Sequence, residues 1–125
     1  MSDRQERLAL SLVAEPGDPR LVDLLRQHEP GRVLAAAKGD GTSVRVPAVW
    51  RERTLGLDSL LGSVSARAKS GELRWQCPGD ADWPTALSDL DHLEPLHGTN
   101  GAPVGLWVRG AGSLAQLSER SVAIV

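Results

Sequence analysis

This chain of 125 residues contains no phenylalanine and no tyrosine. Large aromatic side chains dominate the energetics of most cores. Here four tryptophans supply all of that bulk, so the interior must rest on Leu, Val and Ala packed around Trp50, Trp75, Trp83 and Trp107. The length suits one ordinary domain or two small ones, and an apolar fraction of 41% is enough for a core.

The first half has helical spacing. Asp3 and Glu6 stand three apart as in a capping box, and Leu8, Leu12 and Val13 share one face. "EPGDP" breaks that helix. Asp18 and Pro19 open the next, as N-cap and first helical residue. It carries Leu21, Leu24 and Leu25 and should stop near Pro30-Gly31. A short third helix runs through Val33 and Leu34 to a stop at Gly39. "GDGTS" (39–43) is a loop, Val44 and Val46 alternate with Arg45 before Pro47, and a weakly helical segment surrounds Trp50. "LDSLLGSVSARAKSG" predicts a helix capped by Asp58 and ended by Gly71.

The pattern changes at residue 72. "LRWQC" (73–77) alternates as a strand, "PGD" turns, and "WPTALSDL" (83–90) is a short helix entered through Pro84. "HGTNGAP" (97–103) is a loop, "VGLWVRG" (104–110) a second strand, and Ser113 to Leu117 one helical turn. "SVAIV" (121–125) reads as a third strand, apolar enough to be buried on both faces. The order is a helical unit, residues 1–71, then the opening of an α/β sheet, residues 72–125.

The formal charge is −2, which gives no overall basic field for nucleic acid. Residues 1–70 carry 11 Lys/Arg against 9 Asp/Glu, and residues 71–125 carry 3 against 7. Cys77 stands alone, so no internal disulfide is possible, and that fits a reducing compartment. The charged start "MSDRQERLAL" is unlike a secretory signal, and no apolar run reaches the ~20 residues of a membrane span. The expectation is a cytoplasmic protein with no membrane partner.

"ERLALSLV", "LRWQCPGDADWPTALSDL", "GLWVRG" and "SVAIV", in that order, resemble the amino-terminal part of the DNA-processing protein A (DprA/Smf) family. The most specific stretch runs from Pro78 to Leu90 and includes Gly79, Asp80, Trp83, Pro84 and Leu87. Trp107, Arg109 and Gly110 follow in "LWVRG". The resemblance implies a small helical domain of sterile-alpha-motif or helix-hairpin-helix type, followed by an extended Rossmann-like domain. It also implies binding and protection of single-stranded DNA, loading of RecA in natural transformation, a homodimer partner, no cofactor and no enzymatic activity. In that family the "VAIV" strand leads into a Gly-x-Arg turn and a Thr-x-x-Gly helix start, where backbone N–H groups and a helix dipole would meet phosphate. On this reading the sheet is cut short and the DNA site lies beyond Val125. Residues 1–125 should then bind strands weakly, and the later strands should exchange amide hydrogens faster than residues 58–69.

Other candidates are weaker on their chemistry. His92 and His97 have a spacing seen in zinc sites, but with His28 and Cys77 they make a poor ligand set. Asp80, Asp82, Asp89 and Asp91 form an acidic cluster. It is better read as turn capping by the first two and solvated charge for the last two, and it holds no base–nucleophile pair. "EPGDPRLVDLL" occupies the place of a phosphate-binding hairpin but lacks its second glycine, and Pro19 removes a donor. Arg45, Arg51 and Arg53 flank Trp50 and could hold a strand if Trp50 were exposed. Burial of Trp50 is the competing fate. Two further classes share the pattern: a phosphoribohydrolase-like Rossmann enzyme with a helical prefix, and a helical protein-interaction module.

Overall fold

The computed structural model describes residues 1–41 and 43–125. Five helices come first: α1 (Asp3–Val13), α2 (Pro19–Gln27), α3 (Pro30–Lys38), α4 (Ala48–Thr54) and α5 (Leu57–Lys69). Strand β1 (Arg74–Gln76), a 3₁₀ segment (Thr85–His92), strand β2 (Leu106–Val108) and helix α6 (Leu114–Ser118) follow. The chain is thus mostly helical, with a little β structure in its second half. No described helix is long and apolar enough to cross a membrane.

Helix α1 is the axis of the core. Its Ala9, Leu10 and Val13 are buried against Val33, Leu34 and Ala37 of α3, Trp50 of α4 and Leu57 of α5. Small residues at Ala9 and Ala37 let the helices approach closely, and Trp50, fully buried, fills the space that remains. The capping box forms one residue earlier than its spacing suggested. Ser2 accepts from the Gln5 N–H, and the Gln5 side chain accepts from the Ser2 N–H. Asp18 caps α2 as expected, with Pro19 at its first position.

Pro30 begins a helix rather than ending one, because a fixed φ and a missing N–H suit the first helical position. Gly39 closes α3 at φ 87°, a left-handed conformation that glycine adopts freely. Thr42, in the loop expected over 39–43, lies outside the described residues. Residues 44–46 form no strand, and Val44 is buried as irregular chain. Gly56 replaces Asp58 as the cap of α5, and Asp58 sits in the first turn, where a carboxylate favours the helix dipole.

β1 and β2 pair antiparallel, with Arg74 opposite Val108, Trp75 opposite Trp107 and Gln76 opposite Leu106. The ladder is shorter than the strands expected over 73–77 and 104–110. The segment 83–90 folds as the 3₁₀ turn Thr85–His92. "SVAIV" is not a strand: residues 121–125 have no ladder partner, and Val122 and Ile124 are 87% and 94% exposed. Strand propensity of an apolar, β-branched sequence is weak and depends on its packing context.

The two halves interlock. Arg4 of α1 pairs with Asp80 and donates to the Trp75 carbonyl. Arg26 of α2 donates to the Asp91 carbonyl at 3.0 Å, and the Asn100 N–H reaches the Gly17 carbonyl at 3.0 Å.

Candidate functional site

The most specific sequence stretch, "CPGDADWP", forms a tight turn. The Asp80 N–H donates to the Cys77 carbonyl at 3.0 Å, and the Cys77 N–H returns a 2.9 Å bond to the Asp80 carboxylate. Pro78 and Gly79 take the central positions, and Gly79 has φ 96°, the pattern of a type II turn. Asp80 therefore closes the turn and anchors Arg4 at once. Trp83 is buried beneath the turn, its N–H bonded to the Asp80 carbonyl at 3.1 Å. Cys77 is 2% exposed, and burial, aided by the nearby Asp80 charge, raises its thiol pKa.

Asp82 reaches forward to α6. It accepts from the Ser113 hydroxyl and from the Leu114 N–H at 3.0 Å, and these bonds hold its pKa below the usual 3.8. Arg74 lies 3.8 Å away. Asp91, expected to be solvated, instead accepts from the Ala102 N–H at 2.7 Å and pins the loop before β2. Asp89 is exposed. Pro84 precedes the 3₁₀ turn, Leu87 is half-buried, Leu90 is 37% exposed, and Arg109 and Gly110 lie exposed just past β2.

The Arg45–Arg51–Arg53 group does not frame an aromatic platform, because Trp50 is fully buried. Arg53 is committed to structure: it donates to the Val13 carbonyl at 2.9 Å and pairs with Glu15. Arg51 packs over Gly39, and Arg45 is exposed. In the hairpin stretch Asp18 is 7% exposed and accepts from Arg20 Nε at 2.9 Å and Nη2 at 2.7 Å. The Arg20 bond lowers the Asp18 pKa against the opposing effect of burial. His28 caps the end of α2, His92 closes the 3₁₀ turn, and His97 takes φ 51° in the Leu96–Thr99 bridge. Among the described residues no His, Cys, Asp and Glu side chains gather as a metal ion would need.

The seam between the two halves holds a cleft of about 320 Å³, at the small end of the range for ligand pockets. One wall is the Trp75–Trp107 pair, ring centroids 5.1 Å apart and tilted by 55°. The other is apolar surface of α1 and α2, including Ala14, Leu21 and Leu25. Arg7 and Arg26 line this cleft and also an adjoining polar recess with His28 and Arg32. Gly105 forms part of the lining. A Cβ there would collide with Trp75 Cζ2 and lie 2.5 Å from Cη2 and 2.8 Å from the Gln76 carbonyl oxygen.

Sequence reasoning did not find this cleft. Its walls come from residues 7–26 and 75–107, which no local pattern links. No family model, curated protein or solved structure matches the chain.

Proposed function

We propose that the chain is the helical-plus-β scaffold of a DNA-processing protein of the DprA/Smf kind, a non-enzymatic handler of single-stranded DNA that delivers strands to RecA. The supporting observation is the "PGDADWP" turn. Its polar groups are spent on closing the turn, anchoring α1 through Arg4 and capping α6 through Asp82. A stretch so occupied serves architecture rather than chemistry. The helical unit would be the sterile-alpha-motif-like part, and β1 and β2 the start of an extended Rossmann-like part. A homodimer and the strand-binding loop belong to the same proposal.

Residues 1–125 themselves should hold strands poorly, because Arg53 is engaged and Trp50 is buried. Fluorescence anisotropy with labelled oligothymidylate tests this. The expected result is weak binding that falls steeply with added salt. Micromolar or tighter binding at physiological salt, abolished by Arg51→Ala with Arg53→Ala, would refute it.

A further inference from the structure

We infer that Asn100-Gly101 is a self-modifying junction: the Gly101 nitrogen cyclises onto the Asn100 carboxamide, ammonia leaves, and the carboxylate that results frees the loop 96–102 from the turn between α1 and α2. Asn100 is the chain's single asparagine, and a glycine follows it. Glycine has no side chain to hinder the approach of its nitrogen to the neighbouring Cγ.

The structure leaves both reacting groups unengaged. Asn100 Oδ1 is buried and accepts from no group among the described residues. The Gly101 N–H finds no acceptor among them either, although the N–H groups on each side of it do. The Asn100 N–H donates to the Gly17 carbonyl at 3.0 Å, and the Ala102 N–H to Asp91 Oδ1 at 2.7 Å. Those two bonds hold the loop, and the reactive junction lies between them.

Once its proton is drawn off, the Gly101 nitrogen attacks Asn100 Cγ. The N–Cγ bond forms, the Cγ–Nδ2 bond breaks, and Nδ2 takes up a proton and departs as ammonia. Water then adds to one of the two imide carbonyls and opens the ring, giving aspartate or, through the other carbonyl, isoaspartate. The sequence is a substitution and a hydrolysis, with no oxidant or reductant. Either product puts a negative charge where Oδ1 has no donor, and an unpaired charge is not tolerated in a buried place. Glu15, Asp18 and Asp91 line the cleft beside this loop, and Arg26 is already bonded to Asp23 and to the Asp91 carbonyl. Isoaspartate also lengthens the main chain by a carbon where there is no room for one: a Cβ on Gly101 would lie 2.7 Å from Val22 Cγ1 and 3.0 Å from Asp91 Oδ1. The loop therefore lifts.

The inference does not depend on the strand-handling proposal, which is read by oligonucleotide affinity. The test ages the full chain in mildly alkaline buffer and follows its mass, which rises by one unit as NH gives way to O. Asp40-Gly41 can pass through the same ring without a change of mass, and peptide mapping places the gain at Asn100. The folded chain should react at a rate within about tenfold of the urea-unfolded chain, and Asn100→Gln should show no gain over the same period. Aged protein and Asn100→Asp should both exchange the Ala102 amide at least about tenfold faster than fresh protein, with the ladder 106–108 still protected. A folded chain that keeps its mass while the unfolded chain reacts overturns the inference. So does Ala102 protection that is unchanged in aged protein and in Asn100→Asp, or ladder protection that is lost along with it.

Discussion

Replacing Gly105 with alanine adds one methyl group at the point where β2 begins and Trp75 lies closest. The backbone there is not left-handed, so the effect is steric. The new Cβ would sit 2.5 Å from Trp75 Cη2 and 2.8 Å from the Gln76 carbonyl oxygen. The indole is rigid and 5% exposed, and it is held from the other side by Trp107. Neither obstacle is the free end of a flexible chain, so ring and strand must both shift. Overpacking of this kind costs about 1–3 kcal/mol. At a conversion on the order of 4 °C per kcal/mol for this size, Tm should fall by about 4–12 °C. Near-ultraviolet circular dichroism should report the lost order of the tryptophan pair alongside the thermal melt. Gly56→Ala, with open space around its Cβ, is the control and should change stability by no more than about 1 kcal/mol. A Gly105→Ala protein that melts with the parent and keeps its near-ultraviolet signal would refute the packing described for the seam.

Trp50→Ala should cost about 3–5 kcal/mol in chemical denaturation, because it empties the centre of the helical core. Arg4→Ala should cost only about 0.5–1.5 kcal/mol, since its guanidinium is half-exposed, but amide exchange should quicken around residues 75–80. Asp18 and Asp82 both have folded pKa values below the usual 3.8, so their contribution is complete above that value and is lost as pH falls through the lower folded values. An acid titration should therefore show flat stability near neutrality and a decline below about pH 4, and Asp82→Asn should shallow that decline. Cys77 should resist alkylation in the native protein at pH 8 and react readily once unfolded, as its burial and raised pKa require.

The local signals in the sequence carried the helices well. Asp18-Pro19 and Gly39 mark ends that the structure reproduces, and the scarcity of aromatics correctly directed Trp50 to the core. Errors of one or two residues at Ser2 and Gly56 arise because several polar or small residues compete for one cap. The larger misreadings concern partners. "SVAIV" has strand composition, but it pairs with neither β1 nor β2. Asp91 looked solvated because its acceptor role depends on Ala102, eleven residues on. The cleft was illegible for the same reason on a longer scale: Arg7 and Ser11 of α1 line it together with Trp75 and Trp107, and no periodicity encodes that meeting.

Native-state amide exchange measured residue by residue tests most directly whether the "PGDADWP" turn binds the two halves into one scaffold. Cys77, Asp80, Trp83 and Leu114 should be protected along with the ladder 74–76 and 106–108 and the core of α1, while residues 121–125 exchange freely. Rapid exchange throughout 74–118 with α1 and α3 still protected would contradict it, leaving a helical bundle to which the second half is merely tethered.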